Sequence, residues 1–503
     1  MGFSVRRAGS SVGAPTAAVL LPLVVAQFLC SFAASSMSVA IQPIATDLDT
    51  TVHGVQAAVT IFTLTMAALM IPGSKLSDIW GRKTCFLIGL VVYGCGALVA
   101  AAAPSLGLLV LGYSLLEGIG TALLIPPVYI FATIFFATTE SRARSFGAIS
   151  AAAGIGAAAG PLLGGVITSA TTWRMTFVVQ AVIVLAVIVL GRRIADPGVE
   201  GRRPAFDLVG AITSALGLAF IVVGILGTGT YGWGLTTSQD VAVAGHVLVQ
   251  EGGPSPVWLF VLVGALSLAW FFRHIRSRER AGRDPLLSSR MLGSRVANLG
   301  LVTQNVQWLV LMGMSFVVSV FLQTELGYGA IQTGLILTPA TVGILASSIA
   351  APRLAARYPQ ARLIRAGFVV TTIGIVLLPL LASRGDSVLT FVPGLVLVGL
   401  GVGVMLTSSV NVVQSSFPET DQADISGLSR SVSNLGSSLG VAIAGSVVVS
   451  TAFSGNQGYM VATIALAAFA ALGLLAAALL PTDPEQSAPL VGERPTPTPE
   501  LTE

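Results

Sequence analysis

Stretches of about 20 apolar residues recur from one end of this 503-residue chain to the other. No other feature limits the fold as much. A helix of that length crosses the hydrocarbon of a bilayer, where every backbone N–H and C=O must find its partner within the element itself. With 54% hydrophobic and only 10% charged residues, the chain also falls far below the roughly 25% charged content of a soluble domain. It reads as an all-α integral membrane protein, with too little polar sequence left for a soluble catalytic domain.

Arg6 and Arg7 ahead of Ala17–Leu29 resemble the start of a secretory signal, with Ala33-Ala34-Ser35 as its cleavage region. The apolar segment nevertheless continues to Ile44, about 28 residues, which suits a retained, tilted span. Thirteen further spans are expected at 54–72, 84–103, 106–130, 146–170, 174–191, 207–229, 257–273, 297–322, 331–351, 363–383, 388–412, 427–452 and 458–480. With the N-terminus inside, all of the 26 Lys and Arg residues except Arg174 and Arg384 fall on the cytoplasmic side. Both termini are therefore expected in the cytoplasm of a multi-pass plasma-membrane protein. The degenerate echo of Leu76-Ser77-Asp78-Ile79-Trp80-Gly81 in Leu354-Ala355-Ala356-Arg357-Tyr358-Pro359 marks an internal repeat. The expected organisation is a six-helix bundle over 1–192, a linking helix pair over 193–296, a second six-helix bundle over 297–480 and a disordered tail over 481–503. Within the 230–256 loop, Val241, Val243, Val247 and Val249 alternate around Gly245-His246, which fits either a small β-hairpin or an irregular, membrane-skimming loop.

Two stretches interrupt the apolar pattern informatively. Gly73-Ser-Lys-Leu-Ser-Asp78-Ile-Trp-Gly81-Arg82-Lys83 reads as a tight loop between spans 2 and 3, with glycines for a sharp turn and Asp78 able to cap a helix or pair with Arg82. In span 5, Gly156, Gly160, Pro161, Gly164 and Gly165 lie within ten residues, a spacing that lets helices touch backbone to backbone and a proline that bends the span. Singly, each of these is a packing residue. As strings, the first resembles the loop signature of the major facilitator superfamily, and the second, followed by Trp173-Arg174, resembles the antiporter motif of its fourteen-span drug:proton antiporter branch. The resemblance extends through Ser38–Leu48, Asp207–Ala211 and Gly427–Gly445. It implies transport by alternating access, with Gly73, Asp78, Gly81, Arg82 and Lys83 acting as a cytoplasmic latch.

The chain departs from that branch at two places. Ala33 stands where many relatives carry an acidic residue, and Ser114-Leu-Leu-Glu117-Gly118 replaces the usual Arg-x-x-Gln-Gly. Of the 22 Asp and Glu residues, Glu117 alone falls well within an expected span. A charge there costs roughly 2.5 kcal/mol or more, so the carboxyl group either faces a polar cavity or stays protonated, and either state suits a proton carrier. Ser114 and Thr121 share its helical face and are candidates to hydrogen-bond it; a protonated Glu in a packing hydrogen bond is the alternative. Gln27, Ser35, Ser36, Gln304, Asn305, Gln307 and Asn411 are further mid-span polar residues, expected to face the interior as cavity walls or as helix glue.

Cys30, Cys85 and Cys95 read as small buried hydrophobes, and no His, Cys or carboxylate cluster has metal-ligand or nucleophile spacing. No cofactor, metal or nucleic acid is expected. The functional expectation is a monomeric, proton-coupled exporter of amphipathic small molecules. A lipid or metabolite transporter without Glu117-based coupling is the alternative, and a membrane-embedded enzyme or sensor the reading from another class. Reporter fusions at residues 5 and 490 should both report a cytoplasmic location; an external signal from either would overturn the span count.

Overall fold

The computed structural model describes residues 16–136, 139–195, 205–233, 241–243, 246–249, 253–382, 388–417, 421–449 and 456–481. Among these residues, fourteen helices are long and apolar enough to cross a membrane. They are α1 (Thr16–Ser36), α2 (Val52–Trp80), α3 (Arg82–Ala101), α4 (Leu106–Phe135), α5 (Thr139–Ala170), α6 (Trp173–Gly191) and α7 (Leu208–Leu226). These are followed by α8 (Val257–Arg280), α9 (Arg295–Thr324), α10 (Ala330–Ala355), α11 (Gln360–Ala382), α12 (Phe391–Ser415), α13 (Gln422–Val449) and α14 (Asn456–Ala478). The proline-rich tail beyond Pro481 lies outside the described residues. In the 230–256 loop, β1 (Val241–Val243) pairs antiparallel with β2 (His246–Val249), Val243 facing His246, which is the hairpin alternative.

Packing follows the small residues. On α5, a Cβ at Gly156 would lie 2.5 Å from the Phe28 carbonyl oxygen, one at Gly164 would lie 3.0 Å from Ser36, and one at Gly160 would overlap Ser35. Helix α5 therefore runs backbone to backbone along α1. The second half repeats the device, with Gly436 and Gly440 of α13 against the backbone of α9 at Asn305 and Leu309. Lipid provides no hydrophobic drive between helices, so close van der Waals contact of this kind is what holds the two bundles together. Between bundles, α5 meets α10 and α2 meets α13. The former contact is equally tight: a Cβ on Gly165 would lie 2.5 Å from the Ala330 carbonyl, and one on Gly334 2.6 Å from that of Pro161. Helix α9 is the most buried span and α8 the least. The pair α7–α8 lies outside, with α7 against α2 and α13.

Four expectations are corrected. The first span does not run unbroken to Ile44: α1 ends at Ser36, followed by a 3-10 turn (Met37–Val39) and a separate helix, Ile41–Asp47. The Ser38 hydroxyl turns back to the Ser35 carbonyl at 2.7 Å, and the Gln323 side chain takes both the Gln42 N–H and the Ser38 carbonyl, so the break is held from α9. Gly73–Lys83 is not a loop. Helix α2 continues to Trp80 and only Gly81, at φ 97°, turns the chain; the backbone of Gly73 meets Ala122 of α4 and that of Gly427 meets Ser74, so small residues there extend the packing. Cys95 is exposed rather than buried, on a helix surface where an apolar thiol suits a lipid neighbour as well as a protein one. Asn411 is also exposed, four residues from the end of α12, where an amide can reach the polar boundary.

Gly160→Leu should force α5 away from α1 and destabilise the fold by about 3 kcal/mol or more, at the upper end for overpacking. Leu163→Ala, on the exposed side of the same helix, should change little. Equal thermal unfolding of the two purified variants would show that α5 does not depend on this contact.

Candidate functional site

Among the described residues, the candidate side chains gather at two polar places within the spans. The first is inside the first bundle. Helix α4 is wound as a π-helix over Val110–Glu117, an irregular turn that ends on Glu117. The Glu117 side chain is fully buried and neither carboxyl oxygen has a hydrogen-bond partner. The expected partners are engaged with other helices: Ser114, within the π turn, donates to the Ala58 carbonyl at 2.7 Å, and Thr121, in the α-helical turn after it, contacts the Cys30 sulfur at 3.6 Å. What does lie beside the carboxyl is Tyr93 of α3, which gives its one hydroxyl proton to Gln180 Oε1 of α6 at 2.5 Å. It therefore offers Glu117 lone pairs and not a donor. Tyr113, stacked on Phe62 at 4.5 Å, donates to the Ala33 carbonyl of α1. Tyr93 and Gln180 have no motif spacing in the sequence and emerge only when α3, α4 and α6 pack.

The second place is the seam between bundles. Arg430, expected among the charges that set topology, lies inside α13 with its guanidinium over the Tyr129 ring of α4, 4.7 Å from the centroid. Tyr129 donates to Gln27 Oε1 of α1 at 3.2 Å, and the Gln27 amide donates to Ser31. Next to Arg430 in the chain, Ser429 donates to Gln304 Oε1 of α9 at 2.8 Å. Gln27 and Gln304 thus flank one region from the two bundles. The other candidates act as ties: Asn305 donates to the Val432 carbonyl, Gln307 accepts from Ser409, and Ser35 donates to the Gly156 carbonyl. Ser36 Oγ and Gln307 Nε2 are buried without partners.

The seam is closed at both ends. Near Gly81, Lys75 of α2 pairs with Asp424 of α13 at 3.1 Å, and Ser431 donates to the Ala67 carbonyl at 2.5 Å. Asp78 and Arg82 are only loosely paired, at 4.0 Å, and Lys83 donates to the Arg192 carbonyl at the end of α6. The sequence reading missed Lys75 as a latch residue, although it is one of only two lysines in the chain. At the far end, the Gln56 amide donates to the Val441 and Ala442 carbonyls of α13, and the Ile331 N–H donates to Ser169. There too Asp47 accepts from Trp173 and from Arg174 of the antiporter string. Between the ends is a cavity of about 40 Å³ lined by Ala157 and Pro161 of α5, Met312 and Ser315 of α9, and Thr341 and Ile344 of α10. That is room for a few waters, whereas a drug-sized molecule needs about 300–1,000 Å³.

Outside this seam, near the Gly81 end, Asp207 caps α7 through the Gly210 N–H and takes His274 at 2.9 Å and Arg278 at 3.6 Å from α8. Burial pulls the Asp207 carboxyl upward, but the Gly210 N–H, the His274 ring and Arg278 outweigh it and hold the group below the usual carboxylate value. A depressed carboxylate contributes its stability above the unfolded value and loses it only as pH falls through the folded one, so this clasp persists through neutral and mildly acidic conditions.

A family model described as Major Facilitator Superfamily matches residues 23–441 and, again, 301–502. The chain is 28% identical over 420 residues to the probable actinorhodin transporter of Streptomyces coelicolor, covering 82% of this chain and 68% of that one. It is 28% identical to the puromycin resistance protein pur8 of Streptomyces alboniger, with 85% and 81% covered. The multidrug efflux pump LfrA of Mycolicibacterium smegmatis is 26% identical, with 77% and 72% covered. Among solved structures, the fold is similar to that of a D-xylose-proton symporter, with a TM-score of 0.64 at 13% identity over 94% of this chain and 99% of the other. A family match along most of the sequence, on a fold of fourteen spans with repeated bundle packing, shows that the chain belongs to the major facilitator superfamily of membrane transporters.

Proposed function

We propose that the protein exports amphipathic small molecules across the plasma membrane in exchange for protons, with Glu117 as the proton-carrying group. The observation that carries this reading is a fully buried carboxyl group with no donor on either oxygen. An ionised carboxylate there would be an uncompensated buried charge. Loss of the proton therefore requires donors to arrive, and Tyr93 can become one only by releasing Gln180, which lies on another helix. Proton exchange is in this way tied to a movement of α3, α4 and α6. The names of the relatives, a transporter, a resistance protein and an efflux pump, support the direction of transport.

On this reading the bundles 1–192 and 297–480 rock as units, with 193–296 as the link and both termini cytoplasmic. The closed seam is then an intermediate between inward and outward access. Its Lys75–Asp424 pair forms the cytoplasmic latch together with Asp78, Gly81, Arg82 and Lys83, and separation of α2 from α13 enlarges the small cavity to admit substrate.

Glu117→Gln should insert and bind substrate but lose transport driven by a pH gradient in proteoliposomes; wild-type gradient-driven flux in that variant would remove Glu117 from coupling and favour a metabolite or lipid transporter coupled elsewhere. For the latch, Lys75→Asp should weaken closure by about 1 kcal/mol, the upper range for a partly exposed pair, or about fivefold in the balance of states. Adding Asp424→Lys should restore the wild-type rate. If the single variant already transports normally, the pair has no part in the cycle.

A further inference from the structure

We propose that Arg430, set between Tyr129 and Gln27 on one side and Gln304 on the other, is the binding point for an anionic group on the transported molecule, a carboxylate or sulfonate. The substrates are then amphipathic anions or zwitterions. This deepens the export reading and rests on it for the word substrate, but the anion site itself does not.

The argument is one of unused valence. An arginine inside a span is costly and normally meets a carboxylate or several carbonyls. Arg430 meets an aromatic face. Among the described residues neither a hydrogen bond nor an ion pair reaches its guanidinium, which rests on the Tyr129 ring. A cation over a ring satisfies part of the charge and leaves the in-plane N–H donors available. The side-chain acceptors nearby do not reach the guanidinium and each already holds another donor: Gln27 Oε1 that of Tyr129, Gln304 Oε1 that of Ser429, and the Asp424 carboxylate, about two helical turns away on α13, that of Lys75.

Position gives the site its use. Arg430 comes from the second bundle, Tyr129 and Gln27 from the first, so an anion bound here touches both sides of the seam. The guanidinium provides a planar fork that matches a carboxylate with two parallel hydrogen bonds. Apolar surface is at hand in the Tyr129 ring itself, on whose face the guanidinium lies. A molecule with one acidic group and an aromatic or aliphatic body fits such surroundings, whereas a permanent cation would meet the repulsion of Arg430.

Purified full-length protein in phosphatidylcholine nanodiscs tests this with two dyes on one xanthene skeleton, fluorescein with its free carboxylate and rhodamine 6G, a cationic ester. Wild type should bind fluorescein, Arg430→Gln should bind it about tenfold more weakly, and Arg430→Lys should lie between, having charge without the fork. Rhodamine 6G binding should not weaken in either variant, and wild-type thermal unfolding checks that they fold. The proposal is overturned if wild type fails to bind fluorescein, if Arg430→Gln binds it normally, or if both dyes weaken together. Competition by added phosphatidylglycerol at the Arg430-dependent site would assign it to lipid headgroups and overturn the substrate role. Gradient-driven transport of either dye in proteoliposomes is read separately: its absence with Arg430-dependent fluorescein binding intact would defeat the export reading and leave the anion site standing.

Discussion

Contact between glycine backbones is the interaction on which the rest of this structure depends. Surrounded by lipid, a helix gains nothing from burying leucine against leucine in place of an acyl chain, and only close approach and polar ties distinguish one partner from another. Gly156, Gly160 and Gly164 place α5 against α1, and Gly436 and Gly440 place α13 against α9. Each bundle is thereby built around the same paired-helix device. The outward surfaces of α5 and α13 are then presented to α10 and α2, so the internal packing of the bundles also determines the seam between them.

At its two ends that seam adds polar ties to the close packing of α5 on α10. Its ends are joined by single hydrogen bonds and one ion pair, Gln56 to Val441 and Ala442 at the far end and Lys75 to Asp424 near Gly81, each of which can be exchanged for water when the helices part. Bonds of this kind are individually worth about 1 kcal/mol, small enough for a bound ligand to shift the balance of states. Close contacts such as Gly160 against Ser35, or Gly165 against Ala330 across the seam, have no such replacement.

Inside the first bundle, the π-helical turn ending at Glu117 and the Tyr93–Gln180 bond make a site whose polar groups are incompletely matched. Such a mismatch would be a defect in a static core. On the export reading proposed above, it ties the state of one carboxyl group to the packing of three helices. Arg430 is the counterpart at the seam, a charge kept with an aromatic partner and free donors.

The sequence by itself determined the membrane-spanning α fold, the number of spans, the repeat of two halves and the isolation of Glu117, because length and hydropathy are local properties and lipid permits few alternatives. It also identified the α5 glycines, whose spacing has meaning only at a helix contact. It did not show where α1 breaks, since that break is held by Gln323 of α9, nor that α2 continues through Asp78 to Trp80, since charge in a sequence suggests a loop while packing by Gly73 and Ser74 extends a helix. Arg430 resembled any other residue on the positive side, and Tyr93 any other core tyrosine. Only the tertiary structure placed the one over Tyr129 and the other beside Glu117, because both relations join helices far apart in the chain and depend on which face each helix turns inward.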